Sequence, residues 1–439
     1  MSRLRAVVAA LTLGVPFVAT AADVTRVASS FEDEDPFGMY IDAGFAHSQR
    51  RTKIVREVLP KTAGETRQYQ DELWYRSYDT RLNLDVAFGI AQDVELSFGL
   101  PLVLLQDESW SFVEGNGTST STITNNFVRN NCLGPDGITP TGQPCSVSPR
   151  EPLFNVPDNG YLETFRGGLT RLGNARFGFA WAIFNQLKDE TKPTWTVALD
   201  YEAPTAKLLD PSFVTSKEQR GDVGDRVHKY TISTALSRQI GLADPYFRMH
   251  YTIPVRGPGA WSNCDNRNVE PPNLGRPQNC GLDGWNRKET GIQAPHIAGV
   301  IFGSEFQVLD QPTRKFKLDL RAISNYVSKG RYYNELSGAL RKLLATGDYM
   351  QIGGQFALTA QISDFLSVRG SGMFLYNTDH VLTDEKIGKD LNRNGTVDIT
   401  ETPEELNPNF DYRTDFVSRR FHATESKDFR LDVTATLRF

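Results

Sequence analysis

The stretch Phe429-Arg430-Leu431-Asp432-Val433-Thr434-Ala435-Thr436-Leu437-Arg438-Phe439 decides the fold. Phe429, Leu431, Val433, Ala435, Leu437 and Phe439 share one parity, while Arg430, Asp432, Thr434, Thr436 and Arg438 share the other. Successive side chains of a strand point to opposite faces, so this segment presents one apolar and one ionic face. Residues 94–105 repeat the pattern, with Val94, Leu96, Phe98, Leu100, Leu102 and Leu104 opposite Glu95, Ser97, Gly99 and Pro101. Phe177, Phe179, Trp181 and Ile183 alternate with Arg176, Gly178 and Ala180, and Phe247, Met249, Tyr251, Ile253 and Val255 with Arg248, His250, Thr252 and Arg256.

Twelve such strands are expected, near 38–49, 72–90, 94–107, 171–186, 194–203, 226–239, 246–257, 294–309, 315–327, 349–362, 365–377 and 427–439. Their connections alternate between short (91–93, 187–193, 240–245, 310–314, 363–364) and long (50–71, 108–170, 204–225, 258–293, 328–348, 378–426). Short turns at one end and long loops at the other are the pattern of a transmembrane barrel. A soluble sandwich would bury the apolar faces and wet the polar ones; a membrane barrel reverses this. The apolar faces carry aromatics near their ends (Trp74, Trp181, Trp195, Tyr201, Phe302, Phe374, Tyr376), as interfacial girdles do, and the opposite faces carry charge in mid-strand. The expected fold is therefore all-β, an antiparallel transmembrane β-barrel with short periplasmic turns and long extracellular loops.

Composition excludes the alternatives. The 439 residues are 23% charged, and the mean hydropathy is −0.40, too polar for a bundle of membrane helices. With 26 Phe, 15 Tyr and 6 Trp the chain is not a disordered tail, and a net charge of −5 argues against a nucleic-acid partner. Arg3 and Arg5 precede the apolar run 6–19, and Ala19-Thr20-Ala21 offers small residues for cleavage. Residues 1–21 thus read as a signal peptide, 22–37 as a short periplasmic segment and 38–439 as the barrel. Loss of the two arginines takes the net charge from −5 to −7. Export implies an oxidising compartment, so Cys132 with Cys145 and Cys264 with Cys280 are expected as local disulfides.

By parity, the face opposite the apolar one includes Asp42, Asp85, Glu95, Asp200, Glu305, Asp319 and Asp432 against Arg81, Arg176, Arg248, Arg256, Lys317, Arg321, Arg369, Arg430 and Arg438. A lumen of mixed sign is expected to brace the barrel with ion pairs or to guide polar solutes, rather than select strongly for one ion sign. Residues 332–345 place Tyr332, Leu336, Ala339, Leu340, Leu343 and Leu344 at helical spacing and predict a loop helix. No H-E-x-x-H, P-loop or complete G-x-S-x-G occurs, so no enzymatic activity is expected; an outer-membrane hydrolase is the remote alternative.

Residues 390–401, Asp-Leu-Asn-Arg-Asn-Gly-Thr-Val-Asp-Ile-Thr-Glu, match D-x-[DN]-x-[DN]-G-x5-E in full. The segment resembles an EF-hand or dockerin-type calcium loop. The resemblance implies Ca²⁺ on Asp390, Asn392, Asn394, the Thr396 carbonyl, Asp398 and Glu401, in a structural role on an extracellular loop. The closing strand with its terminal Phe439 resembles the C-terminal signature of Gram-negative outer-membrane barrels. It implies recognition by the barrel-assembly machinery and a setting of outer-membrane lipid and lipopolysaccharide. Turn units at Gly89–Asp93, Gly241–Asp244 and Gln361–Asp364 resemble those of outer-membrane transporters associated with meta-cleavage of phenols. That likeness implies a channel for passive diffusion of small aromatic or amphipathic solutes; the alternative is a closed structural or surface-interaction barrel.

Overall fold

The computed structural model describes residues 22–31, 37–58, 68–125, 153–265, 279–281, 285–311 and 314–439. The expected signal peptide, Cys132 and Cys145 lie outside the described residues.

Twelve strands form one closed antiparallel barrel. They are β1 (Met39–Val58), β2 (Gln68–Ala91), β3 (Val94–Phe112), β4 (Ala175–Phe184), β5 (Thr194–Ala203), β6 (Val227–Ser237), β7 (Ala243–Arg256), β8 (Ile297–Gln311), β9 (Arg314–Val327), β10 (Tyr349–Ser363), β11 (Leu366–Asn377) and β12 (Phe421–Arg438). Each pairs with its sequence neighbours, and β12 returns to β1 in register from Tyr40↔Arg438 to Arg56↔Phe421. Closure pairs every strand edge, which is what a sheet needs where no water is available to satisfy backbone groups.

The alternation read from sequence sets which side faces what. Phe302, Leu431 and Val433 stand on the outer face at 58%, 62% and 52% exposure, so no second sheet covers them. An apolar belt this exposed is stable only against acyl chains, and ions on that face would cost about 2–4 kcal/mol each at mid-depth. The barrel therefore crosses a membrane through its strands.

The wall has unequal height. β1, β2 and β3 run for 20, 24 and 19 residues, but β4, β5 and β6 for only 10, 10 and 11. About 9–11 tilted residues cross a bilayer, so the long strands rise well beyond it at the long-loop end. The largest apolar core lies there and not in the membrane. Ile54, Leu73 and Trp110 of the tall strands pack with Leu336, Leu344, Leu382 and Phe421, all essentially buried.

The expected helix over 332–345 does not form. Gly330–Tyr332 pairs with Leu344–Thr346 as a small hairpin, and only Ser337–Leu340 makes a single helical turn. Arg341 ends that turn in the left-handed region at φ 56°. The helical spacing of the leucines had another cause: Leu336, Leu343 and Leu344 are each under 2% exposed, because the segment is enclosed by the tall wall rather than lying on it. Gly338 is the point of closest approach, where a Cβ would come within 2.7 Å of the Trp110 ring.

The other long loops are tied to this cap. The Cys264–Cys280 disulfide is formed, and Asn279 Nδ2 donates to the carbonyls of Pro403 and Leu406 at 2.9 and 2.8 Å. Trp285 Nε1 donates to Glu404 O at 2.7 Å. The disulfide loop is thereby fastened to the loop that follows the calcium-type motif.

Candidate functional site

The inner wall is built from ion pairs that step over an intervening strand. Arg176 of β4 reaches Asp85 of β2 at 2.9 Å, passing across Gly99 of β3, where a Cβ would sit 2.0 Å from Asp85 Oδ1. Tyr246 of β7 donates to Asp319 of β9 at 2.6 Å, across Gly303 of β8, where a Cβ would lie 2.4 Å from the phenol oxygen. Asp319 also receives Arg321 and, from β11, Arg369, each at 2.6 Å. Glycine on the middle strand clears the path of the first two bridges, while the third passes over Ala357 and Thr359 of β10.

The remaining inward candidates fall into place around these. Asp42 accepts from Thr436 at 2.5 Å, Arg81 pairs with Asp79 at 2.6 Å, and Lys317 lies 3.7 Å from Glu305. Arg248 Nη2 donates to Ser233 at 3.3 Å, and Arg430 pairs with Asp432 at 2.8 Å. Asp200 lines the same cavity as Asp42, Asp85, Glu95 and Arg176. Two stand apart: Arg256 donates to Arg287 O at 2.5 Å and so holds a loop, while Arg438 lies over the Tyr40 ring at 5.9 Å at the short-turn mouth.

Sequence reasoning missed the floor. Residues 22–31 do not hang free below the barrel but run across its short-turn mouth. Asp23 N donates to Glu305 at 2.7 Å, Thr25 Oγ1 meets Ser237 Oγ at 2.8 Å, Ala28 N donates to Glu95 at 2.6 Å, and Ser30 Oγ donates to Gly89 O at 2.8 Å. One strap therefore touches β2, β3, β6 and β8. Arg26 stacks on Tyr40 at 4.4 Å and pairs with Asp23 at 3.3 Å; that guanidinium, with Arg369 behind it, holds the Asp23 carboxyl well below the usual carboxylate range against the effect of burial. The signal was available: two charges in a segment otherwise made of small residues match the ionic lumen, not a solvated tail.

The roof was missed too. Arg50 of β1 pairs with Asp428 at 2.6 Å and with Glu335 of the cap hairpin at 2.9 Å. Glu108 receives Arg166 at 2.8 Å and the Tyr75 phenol at 3.2 Å. Both sit on the tall ends of strands, beyond where the sequence pattern stopped. Beneath the hairpin lies a cavity of ≈ 650 Å³ lined by Arg50, Tyr75, Arg81, Arg166, Tyr332, Tyr333 and Tyr349. It shares Arg176, Glu202 and Lys229 with the lower cavity of ≈ 590 Å³ that the strap floors through Asp23 and Arg26. The lumen is one column of mixed charge, roofed at the long-loop end and floored at the other.

No family model matches the chain, and no curated protein matches it. Among solved structures, an outer-membrane channel from Pseudomonas putida F1 is similar at 9% identity and a TM-score of 0.43, over 96% of this chain and 100% of that one. The monoaromatic hydrocarbon channel CymD is similar at 9% identity and 0.31, over 95% and 90%. The outer-membrane protease OmpT from Escherichia coli is similar at 8% and 0.29, over 94% and 100%. At these values the likeness is one of architecture alone. The chain is a closed twelve-stranded antiparallel β-barrel with an apolar outer belt.

The calcium-type segment folds as a compact turn outside the barrel. Asp390 accepts from Asn394 N at 3.1 Å and Gly395 N at 2.8 Å, and Asn392 Oδ1 accepts from Asn394 N at 2.9 Å. Gly395 adopts φ 92°, the bend for which glycine is suited. Asp398 accepts from Thr400 N and Glu401 N at 2.8 and 2.9 Å. The carboxylate that closes the turn is Glu405, not Glu401: fully buried, it accepts from Leu391 N at 3.0 Å, Asn392 N at 3.3 Å and Asp398 N at 2.8 Å. Among the described residues no three His, Cys, Asp or Glu side chains converge to hold a metal. An ion here would depend on Asn392, Asn394 and the Thr396 carbonyl beside Asp390.

Proposed function

We propose that the barrel is a gated channel for passive diffusion of small amphipathic solutes, aromatic ones with a polar or anionic group in particular. The observation that carries this is the roofed and floored column itself. Its upper cavity sets the phenol-bearing side chains Tyr75, Tyr332, Tyr333 and Tyr349 beside Arg50, Arg81 and Arg166. Aromatic faces with a few placed charges suit a ligand that has one apolar and one polar end. Charges of both signs along the wall give such a solute successive weak partners and no deep trap, which passive conduction needs.

The rival reading is a closed barrel whose extracellular loops carry the function. The well-packed core of the cap favours it. Planar-bilayer recording separates the two. Wild type is expected to open rarely or in small steps, and a variant lacking residues 23–30 to conduct more, because the floor has been removed. Silence from both proteins would leave the structural reading. The calcium turn enters this proposal only as a stiffener of the roof, through its tie to the disulfide loop.

A further inference from the structure

Three cations stand side by side on the outer wall. Lys427 of β12, Arg51 of β1 and Arg76 of β2 occupy directly opposed register positions, Arg51↔Lys427 and Arg51↔Arg76, on the lipid-facing parity. Like charges in opposed cross-strand positions repel one another. Among the described residues no ion pair joins any of the three to a carboxylate: Asp71 and Glu425 are taken by Lys53 at 2.7 and 3.4 Å, and Asp107, diagonal to Arg76 on β3, is taken by Arg220. Arg51 is held in place by the Trp74 ring, 4.0 Å away.

Depth and shape say what neutralises them. One outward position below Lys427 on β12 is Phe429, packed at a tilt against Phe374 with ring centroids 5.0 Å apart, and the same strand continues into the apolar belt at Leu431. The cations therefore sit just above the acyl region, at headgroup level. Below them an apolar groove of ≈ 870 Å³ runs across the wall from Phe302 to Leu431, open because Gly354 and Gly372 place no side chain in it. The two features are continuous through Phe429. A cationic rim above an apolar slot is the complement of a phosphorylated lipid.

We propose that this wall is a binding site for a phosphorylated lipid of the outer leaflet, with phosphate on Arg51, Arg76 and Lys427 and an acyl chain in the groove over Gly354 and Gly372. Guanidinium groups take phosphate oxygens in pairs, and the ammonium adds a point charge. The site is separate from the lumen and does not depend on the channel reading.

The test uses the purified full chain in neutral detergent. Three probes are titrated: a bisphosphorylated diglucosamine lipid, the same lipid with its phosphates removed, and inorganic pyrophosphate. Wild type is expected to bind the phosphorylated lipid about tenfold to hundredfold tighter than the dephosphorylated one, the gain of two to three headgroup contacts. The variant R51Q/R76Q/K427Q is expected to lose that preference. Gly372→Phe, whose new side chain enters space where the nearest atom to a Cβ is Leu431 Cδ2 at 3.6 Å, is expected to weaken the lipid and leave pyrophosphate unchanged. Should the triple variant fail to show the heat-modifiable migration of a folded barrel, R51Q alone carries the comparison. Equal preference in wild type and the charge variant overturns the proposal. So does pyrophosphate binding as tight as the lipid, which would mark a free-anion site.

Discussion

Arg50 Nη1 donates to Glu335 Oε1 at 2.9 Å, and this ion pair joins the barrel wall to its roof beside the bond from Trp110 Nε1 to Glu335 O at 2.7 Å. Glu335 is 5% exposed in its side chain, while Arg50, at 32%, keeps a second partner in Asp428. Glu335→Gln is therefore expected to cost about 1–3 kcal/mol, less than the ~3–5 kcal/mol of a fully buried broken pair, because the guanidinium is not left alone. The cost falls on the roof, since the twelve-strand ladder is untouched. Single-channel recording is expected to show longer or larger openings than wild type. An unchanged trace would place the gate elsewhere.

Gly99 tests whether the Asp85–Arg176 bridge depends on the missing side chain beneath it. A valine there would drive its Cβ into Asp85 Oδ1, 2.0 Å from the built position, and push Arg176 off its partner. Overpacking of this kind costs about 1–3 kcal/mol. Gly99→Val is expected to lower the temperature of heat-modifiable migration and to shift ion selectivity, because Asp85 and Arg176 no longer cancel. Gly370→Val is the control, since a Cβ there meets nothing within 4 Å.

Strand parity was legible because lipid imposes it. The outward positions of β4 through β9 are predominantly apolar, with uncharged Thr234, Ser304 and Ser324 among them, so Phe177, Leu199 and Phe302 announce their faces, and the inward charges follow by elimination. The limits of legibility have the same cause. Above the membrane, β1 to β3 and β12 stand in water and in contact with loops. Two-step alternation lapses there, so Arg50, Glu108 and the true start of β12 at Phe421 escaped the pattern. The 332–345 segment failed for a different reason: leucines three and four apart satisfy a helix and equally an enclosed hairpin, and only the enclosing wall decides. The strap's two charges hinted at a lumenal place, but its path across the mouth was not legible, because contacts such as those from Asp23 N to Glu305 and Ala28 N to Glu95 start from backbone donors that no side-chain spacing reveals.

The roof should respond to pH through Asp415. Burial, with Glu385 and Asp411 close by and Lys342 opposing them, raises its carboxyl to about 7. Its folded value lies above its unfolded one, so its contribution is fully present below about pH 4 and declines as pH rises towards 7, then stays flat. Asp411, held down to about 2 by Lys342 and Arg413 despite burial, acts in the opposite sense and only below about pH 4. Of these two carboxyls only Asp415 contributes a slope between pH 4 and 7, on the order of 1–4 kcal/mol across the window, while His422, whose imidazole is lowered by burial, opposes it. Limited proteolysis of the 378–420 loop is expected to speed up as pH rises over that range in wild type. Asp415→Asn should flatten the profile.

The 390–401 turn separates preformed from ion-dependent order. Its backbone donors are already taken by Asp390, Asn392, Asp398 and the buried Glu405, so the turn does not need an ion to close. Calcium, where it binds, adds to that frame with the affinity of extracellular modules, about 10⁻⁴–10⁻³ M. Cleavage within residues 390–405 by a broad-specificity protease is expected to slow when millimolar Ca²⁺ is added to wild type. Asp390→Ala should abolish the effect of Ca²⁺ while raising the calcium-free rate only modestly, because Glu405 still holds Leu391, Asn392 and Asp398. Glu405→Ala should instead raise the calcium-free rate sharply, since three backbone donors lose their acceptor at a fully buried position. Equal calcium responses in wild type and Asp390→Ala would remove the metal site and leave the turn to its own hydrogen bonds, those to Glu405 foremost.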